Sequence, residues 1–184
     1  MEGRSFEEFQ KAMKPSKRIV ASLVLQISEA IDSIHAAGWR HGELRPSSVR
    51  FLENGRPQIL DFGLSELLVR ENALRRSDDI PGHPSYLAPE QLRDPESVDF
   101  RADLYGLGAL LYSLATGRHP FDGSMSEVLH SVLHESPKRP STLREDGDRA
   151  FDFVCAKLMN KEPESRYASC SELCQKLREI AEED

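Results

Sequence analysis

Trp39-Arg-His-Gly-Glu-Leu-Arg-Pro-Ser-Ser-Val-Arg-Phe-Leu-Glu-Asn-Gly-Arg-Pro-Gln-Ile-Leu-Asp-Phe-Gly63 is the stretch on which the reading of this chain turns. Asn54-Gly55 is its strongest local signal, because both residues tolerate the positive φ of a type I′ turn. A hairpin with arms at Val49 to Leu52 and Gln58 to Leu60 is therefore predicted. Such a hairpin sets the loop before it beside the loop after it, so that Glu43 and Asp61 come near each other. Two carboxylates at the mouth of a hairpin point to metal binding or to acid/base chemistry.

Working outward, the totals bound the classes of protein. The 184 residues suffice for one domain with a sizeable core, and no repeat or low-complexity linker divides them. Thirty-one acidic against 24 basic residues give a net charge of -7, which argues against general binding of nucleic acid or of an anionic membrane. No aliphatic run reaches the roughly 18 residues of a membrane span, and no leader pattern precedes the first helix. Three cysteines late in the chain form no disulfide framework and suit a reducing cytoplasm.

Periodicity then sets the helices. Pro15 is expected to open a helix with Ile19, Leu23, Val24, Ile27, Ile31 and Ile34 as its buried stripe and Gly38 as its stop. Ser65 to Pro81 has no sustained period and reads as a loop. Asp103 to Thr116 is apolar almost all round, which demands burial on every side, and Gly117 ends it. Shorter helices are expected over Ser126 to Glu135, Ala150 to Asn160 and Ser169 to Glu182. His130 with His134, and Cys170 with Cys174, share helical spacing; the first pair reads as a solvated face and the second as core thiols rather than metal sites.

His41-Gly-Glu-Leu-Arg-Pro-Ser-Ser resembles the catalytic loop of the protein kinases, His-Arg-Asp-Leu-Lys-Pro-x-Asn, and Asp61-Phe62-Gly63 resembles their metal-binding triplet. Gly82 to Glu90 is similar to the end of their activation segment. Three motifs in family order, at family intervals, resemble most closely the bacterial eukaryotic-like serine/threonine kinases. The resemblance covers residues 1–184 as one domain and implies a mainly helical C-terminal lobe with a short hairpin. The glycine-rich loop and Val-Ala-Ile-Lys strand of an ATP-binding N-lobe are absent from this sequence.

The resemblance implies Mg²⁺-ATP as cofactor, a protein substrate or partner, and roles for named residues. Glu43 stands at the catalytic base, Arg45 at the phosphate-steadying lysine, Ser48 and Asp61 at the two metal ligands, and Arg50 beneath the adenine. Glu43 keeps the family's charge but adds a methylene, and a misplacement of about an ångström can cost ~100-fold in rate. Ser48 is shorter than the family's asparagine, and a charged Arg50 is a poor apolar floor for a purine. Gly42 replaces the arginine that reads a phosphorylated loop, and His83 a threonine that bonds the base. Fold-maintaining residues are better kept: Glu90 is expected to pair with Arg166, Asp103 to receive backbone donors from the catalytic loop, and His41 to stack with Phe62. The expectation is therefore a kinase-like C-lobe impaired in phosphotransfer and acting through its surface, with self-association through the face an N-lobe would cover. The alternative is an active kinase completed by preceding sequence or by a partner.

Overall fold

The computed structural model describes residues 3–12, 15–61 and 84–182. The expected Ser65 to Pro81 loop, Phe62, Gly63, Gly82 and His83 lie outside the described residues. Seven α-helices and one small sheet make up the described fold, in agreement with a mainly helical C-lobe.

The sheet joins three antiparallel strands, β1 (Arg4–Ser5), β2 (Val49–Phe51) and β3 (Pro57–Ile59), in that order. Ser5, Arg50 and Gln58 stand opposite one another, as do Arg4, Phe51 and Pro57. The hairpin exists, but its turn differs from the type I′ expected. Gly55 donates to the Leu52 carbonyl at 2.8 Å and alone takes a positive φ, of 78°, while Asn54 does not. The Leu52 N–H then donates to the Arg56 carbonyl at 2.9 Å, so a turn over Leu52 to Gly55 is followed by a glycine bulge. The Asn54 side chain supplies the reason: its Oδ1 accepts from the Arg56 N–H at 3.0 Å, which holds it on the right-handed side.

Helix α1 (Phe6–Ala12) follows β1 through a reciprocal cap, Glu8 N–H to Ser5 Oγ and Ser5 N–H to Glu8 Oε2. Phe9 stacks on Phe51 at 4.2 Å between ring centroids, which fixes the start of the chain on the sheet. Helix α2 (Lys17–Ala36) begins at Ser16, whose Oγ accepts from Ile19. Val20, Leu23, Val24, Ile27 and Ile31 are its buried stripe. Ile19 was expected in that stripe but is 39% exposed, because Val20 and Ala21 turn the buried face one residue later. The helix is 20 residues long and holds an 18-residue window of mean hydropathy 1.3, enough by length and composition to cross a membrane. Its apolar face, however, is spent on α4 (Arg101–Thr116) and α7 (Cys170–Glu182).

α4 is the axis of the core. Every residue from Ala102 to Ala115 is buried, as its all-round apolarity required, and Gly117 ends it in the left-handed conformation. Each buried aliphatic side chain contributes about 1.5 to 3 kcal/mol relative to exposure. Gly106 lets the loop after α2 come down on the helix: a Cβ there would lie 3.0 Å from both Leu44 Cβ and its carbonyl oxygen. Around this axis stand α3 (Pro89–Arg93), α5 (Met125–His134) and α6 (Ala150–Leu158), the last packed along α4. Cys155, Cys170 and Cys174 are free and buried, and His130 and His134 face outward with their rings 4.9 Å apart. Both pairs therefore hold the bland roles their spacing suggested.

Candidate active site

The loop carrying Glu43 is aimed by the end of α2. Gly38, at φ 80°, lets its N–H reach the His35 carbonyl at 2.9 Å, and the Trp39 N–H reaches Ile34 at 3.1 Å. These paired bonds are a Schellman close, and they turn the chain sharply out of the helix. The next peptides are seized by Asp103 in the first turn of α4. Its Oδ2 accepts from His41 N–H at 2.8 Å and its Oδ1 from Gly42 N–H at 2.7 Å. His35 Nε2 closes on Oδ2 at 2.8 Å from α2. A carboxylate 1% exposed is tolerable only when so fully bonded. Asp103 thus takes the structural part expected of it.

His41, wholly buried, ties the loop to the exit of the hairpin. Its Nδ1 accepts from the Glu43 N–H at 3.3 Å, so the ring proton sits on Nε2, which donates to the Leu60 carbonyl at 3.0 Å. Leu60 N–H in turn donates to Ser48 at 2.8 Å. Asp61 follows, exposed and at φ 59°, the one described non-glycine residue in the left-handed region. Such a conformation costs on the order of 1 to 3 kcal/mol and is concentrated at functional sites.

The remaining candidate residues are bound up with one another. Glu43 Oε1 and Arg45 Nη2 form an ion pair at 3.2 Å, each side chain about four-fifths covered. Ser48 Oγ donates to the Arg45 carbonyl at 2.7 Å and accepts from the Arg45 N–H at 3.0 Å, and Ser48 is 2% exposed. These bonds close the short 3₁₀ turn Pro46–Ser48 that leads into β2. Arg50 sits at the middle of β2, between Ser5 and Gln58 and on the opposite face from buried Val49 and Phe51. Among the described residues no cluster of three His, Cys, Asp or Glu side chains could hold a metal.

The segment before α3 is braced from several sides. Ser85 Oγ donates to the Phe121 carbonyl at 2.8 Å. The Tyr86 hydroxyl lies 2.8 Å from Ser113 Oγ and 2.9 Å from His119 Nδ1, and burial pushes its pKa well up. Gln91 accepts from Ala88 N–H at 2.9 Å and donates to the Gly42 carbonyl at 2.6 Å, joining this segment to the catalytic-type loop. Arg166 holds both oxygens of Glu90, at 2.6 and 2.7 Å, and also donates to the Asn160 and Arg101 carbonyls. The Glu90–Arg166 pair was legible in the sequence. His35, Tyr86 and Gln91 were not, since neither spacing nor residue type distinguishes them from ordinary helix and turn positions.

Residues 1–177 match the protein kinase domain, and the chain belongs to that family. Its relatives are bacterial serine/threonine kinases of the eukaryotic-like kind. It is 35% identical over 159 residues to a probable serine/threonine-protein kinase PknB of Bifidobacterium longum, covering 85% of this chain and 23% of that protein. With serine/threonine-protein kinase PknE of Mycobacterium tuberculosis it shares 33% identity, over 83% of this chain and 26% of the relative. With serine/threonine-protein kinase PkaA of Streptomyces coelicolor it shares 34%, over 99% and 33%. The chain thus spans about a quarter to a third of the relatives it matches.

Proposed function

We propose that this chain is a kinase-family C-lobe impaired in phosphotransfer by itself, serving as an interaction module for a protein partner in the cytoplasm. The observation that carries the reading is the state of Ser48. Its hydroxyl is both donor and acceptor to the Arg45 peptide and is almost wholly covered, so it closes the loop and offers little to a metal. Asp61, an exposed carboxylate, fits one Mg²⁺ ligand; Ser48 does not fit the second. Glu43 is engaged with Arg45 rather than free to accept a hydroxyl proton. Arg50 puts a cation where the family places an apolar floor for adenine.

The backbone scaffold of the loop is meanwhile fully built, through Asp103, His35 and His41. A chain that keeps the frame and alters the reacting side chains supports retention of a surface over retention of turnover. The sheet face bearing Arg50, which an N-lobe would cover, is the surface expected to self-associate. The second reading, a serine/threonine kinase completed by further sequence or a partner, is supported by the strained backbone of Asp61 and by the relatives' names.

Thermal unfolding with and without Mg²⁺-ATP separates the two. Ligand at 100 times its dissociation constant would add ~2.7 kcal/mol. The expected result is no shift and no transfer of radiolabelled phosphate to a generic protein substrate, with a larger-than-monomer species in light scattering of the same preparation. A Mg²⁺-dependent shift abolished by Asp61→Ala, together with phosphate transfer, would establish the enzyme reading; a clean monomer at high concentration would remove the self-association.

A further inference from the structure

Outside the kinase-like site, one cleft gathers positive charge in a chain whose net charge is -7. It lies between the 136–140 loop and α6 and encloses about 150 Å³, over a floor that includes Pro140, Cys155 and Met159. Lys138, Arg139 and Lys161 line it. Among the described residues neither Lys138 nor Arg139 has a carboxylate partner. The one acid in the lining, Asp152, is turned to Ser141, accepting from its N–H at 2.9 Å and its Oγ at 2.7 Å.

Lys161 is the anchor. Its Nζ donates to the Ser131 and Val132 carbonyls at 3.2 and 2.7 Å, capping the end of α5, and lies 4.9 Å from the centre of the Phe121 ring. These bonds use two of the three N–H groups of an ammonium. Burial first, then the nearby charges of Arg166 and Arg93, bring its pKa down from 10.5 to about 8. The ammonium is thus held in place at the end of α5, with Glu135 as the acid that acts on it and the cations Arg166 and Arg93 opposing it.

We propose that this cleft docks an acidic segment of a protein partner, seating one carboxylate side chain among Lys138, Arg139 and Lys161. The volume is below the roughly 300 to 1,000 Å³ of a drug-sized ligand pocket but accommodates one side chain. Its proline and thioether floor suits a peptide's apolar atoms, and the rim cations complement a local negative charge. An extended polyanion would run out over the acidic remainder of the molecule and be repelled. The site does not depend on whether the chain transfers phosphate.

Fluorescence anisotropy tests this with a fluorescein-labelled Glu-Glu-Pro-Glu-Glu amide at low salt, against a Gln-Gln-Pro-Gln-Gln control. Saturable binding of the acidic probe alone is expected. Reversing both rim charges in Lys138→Glu/Arg139→Glu is expected to weaken it by roughly tenfold or more. Lys161→Met should weaken it as well, while Lys11→Glu, on α1, should leave it unchanged. Both rim side chains are exposed, so the double variant folds and stays informative even where Lys161→Met does not. Unchanged affinity in the double variant, no saturable binding, or equal binding of a dT oligonucleotide of matched charge would each overturn the assignment.

Discussion

Two ion pairs of similar length show how environment sets the worth of a contact. Arg166 and Glu90 meet at 2.6 Å with side chains 0% and 13% exposed, whereas Arg178 and Glu29 meet at 2.7 Å with both about half exposed. Removing one partner of a buried pair leaves an uncompensated charge and costs ~3 to 5 kcal/mol, while an exposed pair is worth ~0 to 1 kcal/mol. Glu90→Gln is therefore expected to lower the unfolding free energy several-fold more than Arg178→Ala, as read from urea midpoints at equal m-value. Equal losses in the two variants would show that Arg166 is sustained by its carbonyl acceptors, Asn160 and Arg101, rather than by Glu90. His41 makes the complementary point, because its two ring nitrogens tie the Glu43 N–H to the Leu60 carbonyl and so hold adjacent loops together.

At the scale of elements, the catalytic-type loop is placed by how its neighbours end. α2 stops at Gly38, and the two backbone bonds there deliver His41 and Gly42 to Asp103. An alanine at φ 80° would pay the left-handed penalty of about 1 to 2 kcal/mol. Gly38→Ala is expected to cost that much stability and to speed hydrogen exchange at the Trp39, His41 and Gly42 amides. A variant with unaltered exchange at those amides would show that Asp103 alone sets the loop. The hairpin gives a smaller lesson: Asn54-Gly55 signalled the turn correctly, and the Asn54 to Arg56 bond then chose the turn type.

The whole molecule carries a pH dependence of definite sign. Burial raises the thiols of Cys155 and Cys170 strongly and that of Cys174 to about 11. Burial likewise raises Tyr112 and Tyr167 to about 12. In the unfolded chain thiols and phenols titrate near 8.5 and 10. Above about pH 9 the unfolded chain therefore binds fewer protons than the folded one, and stability falls as pH rises. Lys161 acts oppositely between about 8 and 10.5, since there the unfolded chain holds the extra proton, but one lysine is outnumbered. Urea midpoints are expected to decline steadily from pH 8.5 to 10.5, a range bounded by those titrations; a flat or rising profile would mean that the buried thiols and phenols are accessible to ionisation.

How much of this was legible follows from how far each interaction reaches along the chain. The sequence by itself determined the family, the five longest helices, the hairpin, the all-round burial of α4 and the Glu90–Arg166 pair, because periodicity and ordered motifs record local geometry and ancestry directly; the two short helices α1 and α3 carry too few turns for a period to show. Ile19 and the turn type were misread at the margin, where one residue of rotation or one side-chain bond decides. Only the tertiary structure decided that Ser48 is consumed by the Arg45 peptide, that Glu43 leans on Arg45, and that His35 and Gln91 reach the loop from α2 and α3. It also brought Lys138, Arg139 and Lys161 into one cleft. Those outcomes depend on which polar atoms face each other after packing, and every buried donor and acceptor must find a partner wherever the folded chain provides one.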